Sequence, residues 1–153
     1  MTELNEGQKA PGFTAKDQNG NAISLSDFSG KDVILYFYPK DDTPGCTAEA
    51  CSFRDNYQSL QASGFEVLGV SVDDEKSHQK FITKYSLPFP LISDTDKKIV
   101  EAYGVWVEKN MYGKKYMGVA RKTFIIGKNG TIRKIIEKVD TKNSSKQVIE
   151  SLN

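Results

Sequence analysis

Apolar residues along this chain fall into two kinds of pattern, and the two alternate. Val33-Ile34-Leu35-Tyr36-Phe37-Tyr38 is a continuous apolar run ending at Pro39, which suits a strand buried on both faces. Phe65 to Val72 is a second such run. Between them Cys46, Ala50, Phe53, Tyr57 and Leu60 follow an i, i+4, i+7 spacing. This predicts a helix from about Thr43 to Ala62, closed by Gly64, with Thr43 as N-cap and Pro44 at the first helical position. A helix from about Glu75 to Tyr85 follows, with Asp73 and Asp74 as candidate caps. Leu91-Ile92 reads as a short strand, and Lys97 to Tyr103 as a short helix ended by Gly104. Two hairpins are expected. Phe13 to Lys16 and Ala22 to Leu25 flank Asn19-Gly20, while Lys122 to Ile126 and Thr131 to Ile136 flank Lys128-Asn129-Gly130. A last helix carries Val148, Ile149 and Leu152. Strand–helix alternation followed by a hairpin and a helix is the βαβαββα order of an α/β sandwich with a mixed sheet. No linker or repeat interrupts it, so residues 1–153 are expected to form a single domain.

Composition narrows the chemistry. The 153 residues carry 21 Lys plus Arg against 20 Asp plus Glu, a net charge of +1, with arginine only at positions 54, 121 and 133. That balance argues against a nucleic-acid partner or a polybasic membrane contact. The apolar runs are too short to cross a bilayer, and the polar start Met1-Thr2-Glu3-Leu4-Asn5-Glu6 shows no secretory signal, so the cytoplasm is the expected compartment. With His78, Cys46 and Cys51 as its whole stock of His and Cys, the chain cannot supply the four such ligands of a usual structural zinc site. HExxH and two-histidine iron sites are excluded in the same way. A Ser-His-Asp hydrolase would rest on His78 alone, without a GxSxG elbow. Two cysteines in a cytosolic chain more often mean redox or catalytic work than a disulfide framework.

The segment Pro39-Lys40-Asp41-Asp42-Thr43-Pro44-Gly45-Cys46 follows a buried strand and opens a helix, which is where open α/β sheets bind ligands. Cys46 is then the third helical residue, where free N–H groups and the positive helix end favour a thiolate. It also heads the apolar stripe, so its sulphur is expected in a pocket. Cys51 lies five residues on, about 140° around the helix and roughly 7.5 Å along it. A disulfide between them therefore requires the first turns to unwind. Both thiols could instead be small core residues or an incidental staple. A staple closing so short a loop would constrain the unfolded chain little and would break its own helix.

Tyr38-Pro39-Lys40-Asp41-Asp42-Thr43-Pro44-Gly45-Cys46-Thr47-Ala48-Glu49-Ala50-Cys51-Ser52-Phe53-Arg54-Asp55 resembles the peroxiredoxin signature, most closely in the bacterioferritin comigratory protein (peroxiredoxin Q) branch. The likeness continues through Ser93-Asp94 and Val119 to Ile126. Gly127, where an aspartate is common, is a small departure inside a hairpin. The resemblance implies a thioredoxin-like three-layer sandwich with a mixed central sheet and an N-terminal β-hairpin. It implies Cys46 as peroxidatic cysteine, Thr43, Pro39 and Arg121 as the rest of its site, and Cys51 as resolving cysteine. It further implies antioxidant reduction of hydrogen peroxide and organic hydroperoxides, with the disulfide re-reduced by thioredoxin or a similar dithiol, and no metal, haem or flavin. Resolution within one chain makes a monomer the expected state.

Full ionisation of a thiol with pKa about 8.5 gains only about tenfold near neutral pH, ~1.4 kcal/mol, and a lower pKa also weakens the nucleophile. The larger contribution must come from donors that hold the peroxide and stabilise charge on the departing oxygen. Arg121 offers a planar charged fork, the Cys46 N–H a neutral donor, and the Thr43 hydroxyl both roles. Pro39 has no N–H and can shield the pocket. Each has a plainer reading: Thr43 as cap, Pro39 as strand end, Arg121 as a surface cation. Glu49 reads as a solvated residue of the first helical turns that could also position Arg121 by a salt bridge. His78, in register with Phe81, Ile82 and Tyr85, reads as a structural helix histidine. Trp106 and Tyr112 to Met117 read as loop or edge packing, and Lys114-Lys115 as a solvated turn. A thioredoxin-type oxidoreductase would need CxxC, and four residues separate these cysteines. A non-catalytic scaffold on the same fold would be indifferent to Cys46→Ser.

Overall fold

The computed structural model describes residues 3–153. In chain order the strands are β1 (Thr14–Lys16), β2 (Ala22–Ser24), β3 (Asp32–Phe37), β4 (Phe65–Ser71), β5 (Leu91–Ser93), β6 (Trp106–Met111), β7 (Lys114–Val119), β8 (Lys122–Ile126) and β9 (Ile132–Ile136). The helices are α1 (Pro44–Asp55), α2 (Tyr57–Ala62), α3 (Glu75–Tyr85), α4 (Lys98–Ala102) and α5 (Ser144–Ser151). Among the described residues seven strands form one sheet in the order β2-β1-β5-β4-β3-β8-β9, and β6 pairs only with β7. β3 runs parallel to β4 and antiparallel to β8, so the sheet is mixed.

The period-two geometry of a strand explains the unbroken apolar run of β3, because alternate side chains enter two different cores. Val33, Leu35 and Phe37 pack with Ile99, Val100, Tyr103 and Phe124 on the α4 side. Ile34, Tyr36 and Tyr38 pack with Cys46, Ala50, Phe53, Phe81 and Val148 from α1, α3 and α5 on the other. Helices thus cover both faces of the sheet, the thioredoxin-like α/β arrangement expected. No helix among the described residues is long and apolar enough to cross a membrane.

Three local expectations need correction. The helix anticipated over Thr43 to Ala62 breaks at Asn56, whose backbone leaves the helical region at φ −117°, ψ 9°. The Asn56 side-chain amide donates to the Ser52 carbonyl at 2.9 Å, the acceptor its own backbone N–H would use, and that N–H turns to Phe53 at 3.3 Å instead. Second, the stretch expected as loop and edge packing is the β6–β7 hairpin. Its two-residue turn is Tyr112-Gly113, at φ 53° and 82°, so Lys114 and Lys115 open a strand instead of forming the turn. Its side chains are mostly exposed on both faces, so no apolar alternation marked it. Third, Ile149 points to solvent, and the buried side of α5 is carried by Val148.

Candidate active site

Cys46 is the third residue of α1, as its distance from Thr43 and Pro44 predicts. Pro44 suits the first helical position because its fixed φ is helical and its missing N–H leaves nothing unsatisfied there. The first intrahelical bond runs from the Thr47 N–H to the Thr43 carbonyl at 2.8 Å, so the amides of Gly45 and Cys46 lie ahead of the ladder. Thr43 holds the N-cap backbone conformation, φ −101° and ψ 157°, but its side chain makes no cap bond. Its hydroxyl donates to the Lys40 carbonyl at 2.9 Å, which corrects the expectation of a capping role and leaves the oxygen lone pairs free. Pro39, half-buried, stands between the end of β3 and this turn.

The Cys46 sulphur is 1% exposed in its residue and faces the sheet, at the head of the predicted stripe. Arg121 reaches it from the other side of the sequence. The residue precedes β8, and the β3–β8 register pairs Phe37 with Lys122, so Arg121 stands level with the carboxyl end of β3 where α1 begins. Its Nη2 donates to Cys46 Sγ at 3.2 Å, and its Nη1 donates to Glu49 Oε1 at 2.9 Å. One planar fork therefore bridges two residues of the first turns of α1. Burial works against the charge of Arg121, but Cys46 and Glu49 outweigh it and hold its pKa above the ordinary value.

Glu49 is fully buried, not solvated. Burial pushes its carboxyl up to about 7, although Arg121 pulls the other way. Among the described residues its second oxygen, Oε2, has no hydrogen-bond partner, and neither has the buried hydroxyl of Tyr36. A carboxylate held at this cost next to the guanidinium points to a site that needs Arg121 fixed in one orientation.

Both cysteines are free thiols, Cys46 buried and Cys51 half-buried on an intact α1. Expected site residues Pro39, Thr43, Cys46, Glu49 and Arg121 gather around the start of α1, while Cys51 stands further along the same helix. Two further residues were not anticipated. Gly45 makes room for the fork: a Cβ there would stand 3.1 Å from Arg121 Nη2. Lys109 of β6 is half-buried, and Arg121 and Cys46 both act on its charge, after the larger effect of burial. The Pro-Gly-Cys sequence offered a hint for the first. The polar β6–β7 stretch offered none for the second.

His78 is buried on α3, with Asp41 and the Ile92 carbonyl as its hydrogen-bond partners, as a structural histidine would be. Asp41, Asp73 and His78 bring ligand-type atoms within 4.8 Å of one another, but those atoms are engaged in hydrogen bonds.

Residues 6–135 match the model of the AhpC/TSA family. The chain is 45% identical over 146 residues to peroxiredoxin Bcp of Bacillus subtilis, covering 95% of this chain and 93% of that one. It is 41% identical over 152 residues to peroxiredoxin Bcp of Escherichia coli, covering 99% and 97%. Among solved structures, a peroxiredoxin Q mutant from Xylella fastidiosa superposes with a TM-score of 0.92 at 32% identity, covering 99% of this chain and 97% of that one. Family model, relatives and fold agree with one another, and the chain belongs to the AhpC/TSA family, within its Bcp and peroxiredoxin Q group of thiol peroxidases.

Proposed function

We propose that Cys46 is the peroxidatic cysteine of a thiol peroxidase that reduces hydrogen peroxide and organic hydroperoxides, with residues 1–153 working as one domain. The observation that carries this reading is the Arg121 fork, anchored by buried Glu49 and donating to the Cys46 sulphur at 3.2 Å. A solved structural neighbour, the bacterioferritin comigratory protein of Xanthomonas campestris, is described by its alkyl peroxide reduction activity.

The Cys46 thiolate attacks one peroxide oxygen, the O–O bond breaks, and the other oxygen leaves as hydroxide or alkoxide and takes up a proton. Cys46 becomes a sulfenic acid, and the peroxide is reduced to water or an alcohol. Arg121 and the Cys46 N–H are the fixed donors toward which negative charge moves, and in a partly dry pocket such donors lower the barrier far more than ionisation alone. The Thr43 hydroxyl gives its hydrogen to Lys40, so its oxygen can accept the O–H of the bound peroxide. Pro39 shields one side without competing for hydrogen bonds.

Cys51 then resolves the sulfenic acid, forming an S–S bond and releasing water. With α1 intact the two residues are five helical positions apart, about 7.5 Å of rise, so the opening turns must unwind first. Thioredoxin or a similar dithiol returns both sulphurs to thiols by exchange. Both reacting sulphurs belong to one chain, which suits a monomer, and the need to regenerate two thiols suits a reducing compartment such as the cytoplasm.

Stopped-flow oxidation of Cys46→Ser and Cys51→Ser variants, with mass spectrometry of the products, tests the assignment. The first variant is expected to be inert, and the second to react once and stop at sulfenic acid or a mixed disulfide. Rapid peroxide consumption by Cys46→Ser would overturn it.

A further inference from the structure

The loop that carries Pro39 and Thr43 is fastened to α3 at two points, and neither fastening touches Cys46. Asp41 is the inner one. Its Oδ1 accepts the Tyr38 hydroxyl at 2.6 Å, and its Oδ2 accepts the Ser77 hydroxyl at 2.8 Å and lies 2.7 Å from His78 Nδ1. The other ring nitrogen, Nε2, lies 3.0 Å from the Ile92 carbonyl, which can only accept. Nε2 is therefore the nitrogen that donates to the Ile92 carbonyl, and Nδ1 faces the Asp41 carboxylate. The Asp41 N–H completes the knot by donating to Asp73 Oδ2 at 2.9 Å, itself bonded by the Ser71 hydroxyl at 2.7 Å. His78 is fully buried and Asp41 nearly so.

Asp42 is the outer fastening. It sits in the left-handed region at φ 57°, uncommon for a non-glycine residue although aspartate tolerates it better than most. Lys84 Nζ and the Tyr85 hydroxyl, both at 2.8 Å, hold it from the last turn of α3. Each bond made by the loop runs to α3, to Asp73 just ahead of α3, or stays within the loop; none depends on a hydrogen bond inside α1.

We propose that His78 and Asp41 are positioning residues for the peroxidase reaction: they keep the Pro39–Thr43 loop seated on α3 while the opening turns of α1 unwind and rewind, so that Thr43 and Pro39 return to the same place beside Cys46 in each cycle. The inference rests on the reading of Cys46 as peroxidatic cysteine. Its consequence is selective. Loosening the loop misplaces the groups that orient the peroxide, while the sulphur keeps Arg121 and its helix position. Reaction with peroxide should suffer, and reaction with a small neutral electrophile that needs no such orientation should not.

The test compares two rates in full-length protein carrying Cys51→Ser, so that Cys46 alone reports: oxidation by hydrogen peroxide and alkylation by iodoacetamide. His78→Gln and Asp41→Asn are each expected to slow oxidation about tenfold to a hundredfold, the scale of a misplaced reacting group, with alkylation within about twofold of the parent. Equal losses in both rates, or no loss in either, would overturn the proposal. Should circular dichroism show that these core variants do not fold, the double variant Lys84→Met/Tyr85→Phe, at an exposed lysine and a half-buried tyrosine, decides the matter. It must slow oxidation relative to alkylation in the same direction, and an unchanged ratio overturns the proposal. A parent protein that reacts with peroxide no faster than free cysteine would instead sink the assignment of Cys46, a distinguishable outcome.

Discussion

Glu49→Gln keeps the length of the buried side chain and an acceptor oxygen for Arg121, and removes only the charge. In the folded protein the carboxyl is pushed up to about 7 from an ordinary 4.5, mainly by burial. Between those two values the native state holds a proton that the unfolded chain has released. The stability associated with protonated Glu49 is therefore complete below the lower value and is lost as pH rises through the upper one. At about 1.4 kcal/mol per pH unit, the native state at pH 8 carries a penalty of roughly 3 kcal/mol. The glutamine variant has no such slope. Urea unfolding of the reduced proteins at several pH values between about 4.5 and 8 should show the variant gaining up to roughly 3 kcal/mol on the parent across that range. Its reaction with peroxide should nonetheless be slower by about tenfold or more, because Arg121 loses its ionic anchor. Stability curves that run parallel with pH would refute the claim that a single buried carboxylate is kept at a cost to hold the guanidinium.

Arg121→Lys retains the charge but has a single ammonium where the fork reaches both Glu49 and Cys46. The rate with hydrogen peroxide should fall about a hundredfold, ~3 kcal/mol, measured by stopped flow. Gly45→Ala places a methyl 3.1 Å from Arg121 Nη2, so oxidation should slow several-fold while the thermal midpoint does not fall, alanine being the better helix former by about 1 kcal/mol. Hydrogen exchange on the oxidised protein should show lost protection between Pro44 and Arg54 and unchanged protection in β3 and α3. Protection retained throughout α1 with the disulfide present would refute resolution by unwinding.

The main architecture was legible because its signals are local. The β3 run, the helical stripe through Cys46, the Thr43-Pro44 start and both Asn-Gly turns each declare an element within a few residues, and each element appears. Cys46 was legible for the same reason: a cysteine three residues into a helix after a buried strand has a defined electrostatic setting whatever lies around it. The β6–β7 hairpin was not, since exposure of most of its side chains leaves no apolar period to read, and its Tyr112 turn lacks the usual Asn or Asp. The break at Asn56 depends on a side chain outcompeting a backbone amide for one carbonyl, which composition does not disclose.

Contacts between distant positions were decided only by the packed chain. That Arg121, rather than another cation, meets Cys46 follows from the antiparallel register of β8 on β3. The burial of Glu49, the left-handed conformation of Asp42 and the enclosure of His78 beside Asp41 follow from helices laid over the sheet. Periodicity determines which side of an element is apolar, because that is a property of neighbouring residues. Which polar groups share a dry interior depends on how elements remote in sequence dock, and that docking places the charges around the sulphur.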